Sequence, residues 1–564
     1  MEDKPEITQV DAQMISELRQ TAKEAHERGL LAAARWALEM LRAVTDERRT
    51  MSVPTPTPVV PDPPTEEQLR EEEVYELARK VVDEKQHARA VHLLRDVHSD
   101  RAVFLRIYCR YIVSEKKALR DWHMLDGSRH QPPTPLNPLL TELYQSVEGV
   151  TEPWLLFLKA LFLFRLARFD EAIDCALSSL VSLPWNWSAW TLLGDCIHDP
   201  KSLATHLEKV TLPPSHPVVQ LFVIRTMNEF YSPSETELEM CDILLNSTFF
   251  PNSLWLMSLR ANVLYNLHAY AQAETQFDTI LAIEPYRIDD LDVFANILYV
   301  VENKEKLSML AQFFLVLNKD RPEVCYLLGC HYSLRAEHEK SVKYFRRATE
   351  LDRTCCGAWT LMGMEYLEMN NPQAAIEAFR RAVDVNPKDY RAWTGLGKSY
   401  GVLGMHPYSI YYHSRALKIR PEEAECWEEQ AHAFEVAGRF DDAIACFKRA
   451  LETDAPHPMT VFLRLAQLLN TVGDPTGAAF YAQAAVAQGE AHAQPVEYYA
   501  KALIAAAEHQ VRQPAGDWGR AREYLERVVA SPVDEPTNTK ATELLKLVRT
   551  KLQMRAASEA ARLD

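Results

Sequence analysis

The chain has 564 residues, 47% hydrophobic and 25% charged, an ordinary globular composition with room for several cores or one long stacked one. A formal charge of -17 repels phosphate backbones and anionic lipid headgroups, so the charge argues against nucleic acid and bare membrane and favours basic peptides as partners. Only 17 glycines, and 10 cysteines without Cys-x-x-Cys spacing, argue against a loop-rich α/β enzyme, a zinc site and a disulfide framework, and leave helices.

From the N-terminus, the acidic "MEDKPEITQVD" has no apolar signal core, and the longest apolar stretch, "WLLFLKALFLF" at 154–164, is too short to span a bilayer; an intracellular, soluble chain is expected. "LLAAARWALEML" (30–41) reads as the second helix of a first pair, leaving Trp36, Leu38 and Leu41 without obvious cover in the chain. The run "SVPTPTPVVPDPPTEE" (52–67) is a linker, with Thr55 and Thr57 each before a proline. "VYELARKVVDEKQHARAVHLLRDV" (74–97) reads as a helix pair crossing at Ala78 and Ala90. "DGSRHQPPTPLNP" (126–138) and "LPPSHP" (212–217) are linkers or surface loops, since proline runs cannot continue a helix. Ala172 with Pro184 and "WTLLGDCI" (190–197) between them, and Ala273 with Phe277 and Pro285 beyond them, mark weak units.

Beyond residue 320 the pattern becomes regular. Cys325, Trp359, Trp393 and Trp427 are 34 residues apart, and "CYLLGCHY", "WTLMGMEY" and "WTGLGKSY" repeat an apolar-Gly pair followed by Tyr. The second halves repeat Ala375, Phe379, Ala382 and Pro387 as Ala443, Phe447 and Ala450. This is the signature of tetratricopeptide repeats, TPRs, in which small residues let two helices cross closely and proline ends the second. Units centred on "VFLRLAQLLN" with "GAAFYAQAAV" and on "AREYLERVV" follow, and a closing amphipathic helix from about 537 to 558 covers the end of the stack. The predicted fold is all-α, a right-handed TPR superhelix or α-solenoid. Residues 1–50 form a helical pair, 51–66 a linker, 67–250 an irregular array, 251–536 the regular superhelix with a peptide-binding groove, and 537–564 a capping helix.

One stretch competes with this reading. Ala392, Gly397, Lys398 and Ser399 fit a loose phosphate-binding P-loop, but that loop needs a buried strand before it, and here the residues fall in the register of a first helix. No other catalytic motif and no cofactor or metal set is present, so the chain reads as a non-enzyme.

Function in such a stack resides in the groove lined by first helices. With the Trp position counted as the fourth, positions 2, 5, 9 and 12 are Trp255, Ser258, Asn262 and Tyr265 in one unit and Asp289, Asp292, Asn296 and Tyr299 in the next. Amide, phenol and carboxylate groups in register suit the backbone and a guanidinium of an extended basic peptide.

The blocks "YRIDDLDVFANILYV" (286–300), "HYSLRAEHEKSVKYFRRA" (331–348), "AWTLMGMEYLEMNNPQAAIEAFRRAVDVNPKDYRAWTGLGKSYG" (358–401) and "YYHSRALKIRP" (411–421) resemble the TPR subunits of the anaphase-promoting complex, and most of all the subunit 8, or cell-division-cycle-23, family. The resemblance implies a non-catalytic scaffold of a ubiquitin ligase, in nucleus and cytoplasm, that contacts other subunits of the complex. It also implies homodimerisation through the N-terminal repeats and a groove that receives the C-box arginine motif of a coactivator. His331 and Glu365 stand where the family's Asn and Glu line the arginine pocket; His331 departs from the pattern, and its protonation would make binding sensitive to mildly acidic pH. The alternative is a stand-alone TPR adaptor or co-chaperone.

Overall fold

The computed structural model describes residues 9–50, 66–125, 135–198, 200–230, 234–453, 458–492, 494–513, 516–532 and 534–563, and among them every regular element is a helix. The proline-rich residues 51–65, with Thr55 and Thr57, and residues 126–134 lie outside the described residues. The chain divides into two compact units, Met1–Ala358 and Trp359–Asp564. In each, consecutive antiparallel helices pair and the pairs stack, the TPR architecture read from the 34-residue period. No described helix is long and apolar enough to cross a membrane.

The first unit opens with helices Ala12–Glu27 and Leu31–Ala43, joined at Gly29, whose φ of +79° a residue with a side chain adopts only under strain. Asp11 caps the first helix by accepting from the Met14 N–H at 2.8 Å. The pair is built into later repeats. Trp36 stacks on Trp187 at 4.4 Å between ring centroids and meets the edge of Trp255 at 5.8 Å. The Glu24 and Glu17 carboxylates accept from the indole N–H groups of Trp154 (2.7 Å) and Trp185 (3.2 Å). This corrects the expectation that Trp36 and Leu41 lack cover: Trp36 is buried and Leu41 packs on the same core, while Leu38 alone remains exposed. The partners lie 150 or more residues away, where no local pattern points to them.

Further along, Ala78 and Ala90 are fully buried in one cluster, as the crossing of their two helices requires. The "LPPSHP" stretch does more than link: Pro217 occupies the first turn of the helix Pro217–Glu229, and the buried His216 caps it by accepting from the Val218 N–H at 3.2 Å.

The regular repeats share one wedge. Phe345, Phe379 and Phe447 of the second helices are buried. A Cβ added at Gly363 or Gly395, on first helices, would stand 2.7 or 2.3 Å from the Phe379 ring, and one at Gly329 2.4 Å from Phe345. Glycine at mid-helix costs about 1 kcal/mol in propensity, and the ring it admits returns more through burial. In the repeat around Gly397 the ring is His413, 2.5 Å from the same virtual Cβ. The period tryptophans have a different task. Trp359, Trp393 and Trp427 are half-buried, and Trp393 and Trp427, like the fully buried Trp190, each donate to the carbonyl of the proline six residues earlier, Pro387, Pro421 and Pro184, at 2.8 to 2.9 Å.

The P-loop-like stretch lies inside the helix Tyr390–Val402. Lys398 Nζ is 3.0 Å from Glu429, and the Ser399 hydroxyl donates to the Gly395 carbonyl at 2.7 Å, so neither addresses a phosphate. At the C-terminus, Ala541, Leu545 and Val548 of the helix Glu535–Leu563 pack on Leu503, Leu525 and Val528.

Two outcomes follow from the wedge. Phe379→Ala should destabilise by about 3–5 kcal/mol, and Gly395→Ala by about 1–3 kcal/mol in spite of its better helix propensity, in urea unfolding; a stabilising Gly395→Ala would refute the close approach. The buried His413 imidazole has its pKa lowered from 6.5 to about 4 by burial. The unfolded chain therefore takes up the proton first, and stability is lost as pH falls from about 6.5 toward 4. His413→Phe should be more stable than wild type, with a gap that widens from pH 7 to pH 5; a pH-independent gap would contradict the assignment.

Candidate peptide-binding site

The repeat count points to one face of the helices Leu254–Asn266, Leu291–Val300 and Pro322–Leu334, all in the first unit. At its near end the face is occupied by the chain itself. Trp255 lies against Trp36 and Trp187, and the Asp289 carboxylate accepts two hydrogen bonds from Arg35, at 3.1 and 3.2 Å. The Arg287 guanidinium is almost fully buried within 4.0 Å of Asp289, Asp290 and Glu39. Asp290, in the left-handed region at φ +60°, accepts from the Ser258 hydroxyl at 2.7 Å, and burial raises its pKa.

Asp292 sits beyond this network. Its pKa is pushed up to about 6, first by burial and next by the charge of Asp290; backbone N–H groups of the helix start oppose the shift, and Glu323 adds to it. No cation pairs with Asp292 among the described residues, and Glu323 holds one buried carboxylate oxygen with no hydrogen-bond partner. Burial and the neighbouring charges of Asp290 and Glu323 disfavour the ionised form of Asp292, and an incoming cation would relieve them.

Asn296 and Tyr299 continue the face, each tied to the next repeat. The Tyr326 hydroxyl donates to Asn296 Oδ1 at 2.9 Å, and the Ser333 hydroxyl to Tyr299 Oη at 3.2 Å. The Asn296 amide N–H groups make no hydrogen bond among the described residues. Asn262 is half-buried and makes no hydrogen bond among the described residues.

His331 is nine-tenths buried and lines a cavity of about 280 Å³ with Lys304, Glu305, Leu307, Ser308, Leu334 and Arg335. Burial and the Arg335 charge lower its pKa, so the imidazole stays neutral at physiological pH and the expected sensitivity moves to lower pH. Glu365 is 3% exposed on the helix Cys356–Glu368 of the second unit.

Several participants escaped the sequence reading. Glu323, Tyr326 and Ser333 were available to it: they are positions 2, 5 and 12 of the repeat that begins at Pro322, one period beyond the two units counted. Arg35 was not, because its partner lies 254 residues away.

Residues 13–261 match the family model described as anaphase promoting complex subunit 8 / Cdc23, a region outside the 286–421 block that carries the sequence resemblance. Residues 322–355, 357–389 and 428–494 match tetratricopeptide repeat models. The chain is similar to anaphase-promoting complex subunit 8 of Arabidopsis thaliana, 31% identical over 392 residues that cover 63% of this chain and 66% of that protein. It is similar to subunit CDC23 of the complex in Saccharomyces cerevisiae, 28% identical over 63% of this chain and 69% of that one. The cell division cycle protein 23 homolog of Homo sapiens is 32% identical over 52% of this chain and 49% of its own. The matched stretches thus span from half to about two thirds of these relatives. Among solved structures, a chain of the APC/C hetero-tetramer Cut9-Hcn1 superposes with a TM-score of 0.56 at 15% identity, covering 95% of this chain and 96% of that one, and shares its fold. The chain is therefore a TPR protein whose sequence is similar, over residues 13–261 and in its curated relatives, to the anaphase-promoting complex subunit 8 / Cdc23 proteins.

Proposed function

We propose that this chain is a non-catalytic scaffold subunit of the anaphase-promoting complex, in nucleus and cytoplasm, and that its acidic face binds the arginine of a coactivator C-box. The observation that carries the second part is Asp292, a carboxylate raised to about 6 by burial and by the charges of Asp290 and Glu323, with no cation paired to it among the described residues. A guanidinium brings the missing charge in a planar fork that matches carboxylate geometry. The chain's own Arg35 illustrates the fit one turn away, on Asp289. Asn262, Asn296 and Tyr299 flank the seat, with His331 contributing as the family resemblance implies. A clamp for a terminal carboxylate, as in a co-chaperone, would need lysine and arginine where these acids stand.

The scaffold is also proposed to homodimerise through its N-terminal repeats. Trp36 is spoken for within the chain, so the contact falls to exposed apolar residues: Leu31 and Leu38 on one helix and Leu69 and Leu77 on another.

Fluorescence anisotropy with a labelled C-box peptide tests the groove. Asp292→Asn and Glu323→Gln should each weaken binding roughly tenfold, the loss expected of a charge-assisted pair. Affinity should fall as pH drops through about 6, because protonated Asp292 no longer attracts a cation. A raised carboxyl pKa makes the ionised form a burden on the fold, so stability is lost as pH rises from 3.8 to about 6. Asp292→Asn should therefore melt higher than wild type at pH 7.5 and no higher at pH 3.5. Equal affinity in all three proteins would place the peptide elsewhere. For the dimer, light scattering of the full chain should report twice its 64.5 kDa, and Leu31→Glu with Leu38→Glu should report a single chain; a dimeric variant would move the interface.

A further inference from the structure

A second surface, in the other unit, departs from the repeat pattern around it. On the helix His406–Ile419, Tyr408, Tyr411, Arg415 and Lys418 fall on one exposed face, at spacings of three, four and three residues. Tyr408 is 58% and Tyr411 56% exposed, large values for aromatic rings. They are not loose. Tyr400 stacks between Tyr408 (5.5 Å) and Tyr412 (5.2 Å), Tyr412 stacks on Trp393 at 6.0 Å, and Tyr411 meets the edge of Tyr412 at 5.2 Å. Arg415 lies 5.2 Å over the Trp393 ring, and Arg380 donates to the Tyr400 hydroxyl at 2.6 Å. Buried rings thus hold a row of exposed ones at fixed angles.

The neighbouring repeats show what an ordinary second helix carries at these positions. Tyr408 corresponds to Lys340, Ala374 and Asp442, and Tyr411 to Lys343, Glu377 and Ala445. Arg415 corresponds to Arg347, Arg381 and Arg449, and Lys418 to Glu350, Asp384 and Glu452. In two of these repeats the arginine pairs with the acid three residues on, Arg347 with Glu350 at 3.5 Å and Arg449 with Glu452 at 3.4 Å. Here that acid is Lys418, and neither Arg415 nor Lys418 has a carboxylate partner among the described residues. In a chain of net charge -17, two adjacent unpaired cations beside two exposed tyrosines form a surface with a defined complement.

We propose that this stripe docks a partner segment that is extended, proline-rich and followed by carboxylates. Flat tyrosine faces held in a row receive proline rings, and a polyproline II segment presents them with little ordering entropy left to lose. The stripe runs about 15 Å along the helix axis, roughly the length of five residues of polyproline II. Arg415 and Lys418 then take the carboxylates that follow. An apolar helix as partner would leave both cations unanswered, and a second copy of this chain would bring them against their own kind. The probe of suitable chemistry is the chain's own sequence at 55–67, "TPTPVVPDPPTEE", with its prolines ahead of its acids.

The test is anisotropy of that labelled peptide with the full-length chain, and with a full-length variant whose own run is disabled by Pro54→Ser, Pro56→Ser, Pro58→Ser, Pro61→Ser, Pro63→Ser and Pro64→Ser. Saturable binding is expected to at least one of the two proteins. In that protein it should weaken tenfold or more in Tyr408→Ala with Tyr411→Ala, and several-fold, with a smaller salt dependence, in Arg415→Ala with Lys418→Ala. A peptide with alanine for every proline should not bind. Unchanged circular dichroism and melting of the exposed-residue variants keeps folding out of the comparison. Absence of binding to both proteins, equal binding by the tyrosine variant, or equal binding of the alanine peptide would each overturn the proposal. So would self-association abolished by Tyr408→Ala with Tyr411→Ala in the absence of peptide binding, which would assign the stripe to a second copy.

Discussion

The structure depends on how closely a first helix and a second helix approach. A ring on the second helix, Phe345, Phe379, Phe447 or His413, fills the crossing, and where it is opposed by Gly329, Gly363, Gly395 or Gly397 there is no room for a methyl group. That contact sets the spacing of the pair, and the stacked pairs then repeat the side chains of the first helix at a constant interval. Asn262 and Asn296 share a register 34 residues apart, as do Tyr265 and Tyr299. A ladder of functional groups is a by-product of uniform packing.

On that ladder the chemistry is electrostatic. Arg35 and Arg287 answer Asp289 and Asp290, and the network stops short of Asp292. The result is a carboxylate held in a poorly solvated place with like charges as neighbours, an arrangement that costs stability and gains it back when a cation arrives. The N-terminal helix pair contributes twice: it completes the core through Trp36, and it fills the near end of the acidic face, so that the proposed seat begins at Asp292.

Much of this was legible in the sequence. The 34-residue period gave the helices, the crossings at Ala78 and Ala90, and the placement of Asp292, Asn296 and Tyr299 on one face, because each depends on short-range periodicity. It also disposed of the P-loop-like stretch, whose Lys398 is paired with Glu429 on the next repeat. The cover of Trp36 by Trp187 and the pairing of Arg35 with Asp289 were not legible, since both join residues 150 or more positions apart. Nor did the period reveal that its tryptophans latch a preceding proline carbonyl while phenylalanine fills the core; both residue types recur at 34, and only geometry separates their tasks.

The central claim is that Asp292 is an open guanidinium seat, and its own titration addresses that claim most directly. Carbon-detected NMR of a chain with labelled aspartate carboxyls can follow Asp292 with and without an arginine-bearing C-box peptide. A pKa near 6 in the free chain that falls by a unit or more on peptide binding, with the corresponding peptide in which lysine or alanine replaces the arginine giving a smaller change, is the predicted result. A carboxyl that titrates near 3.8 in the free chain, or whose pKa does not move when the peptide is bound, would contradict it.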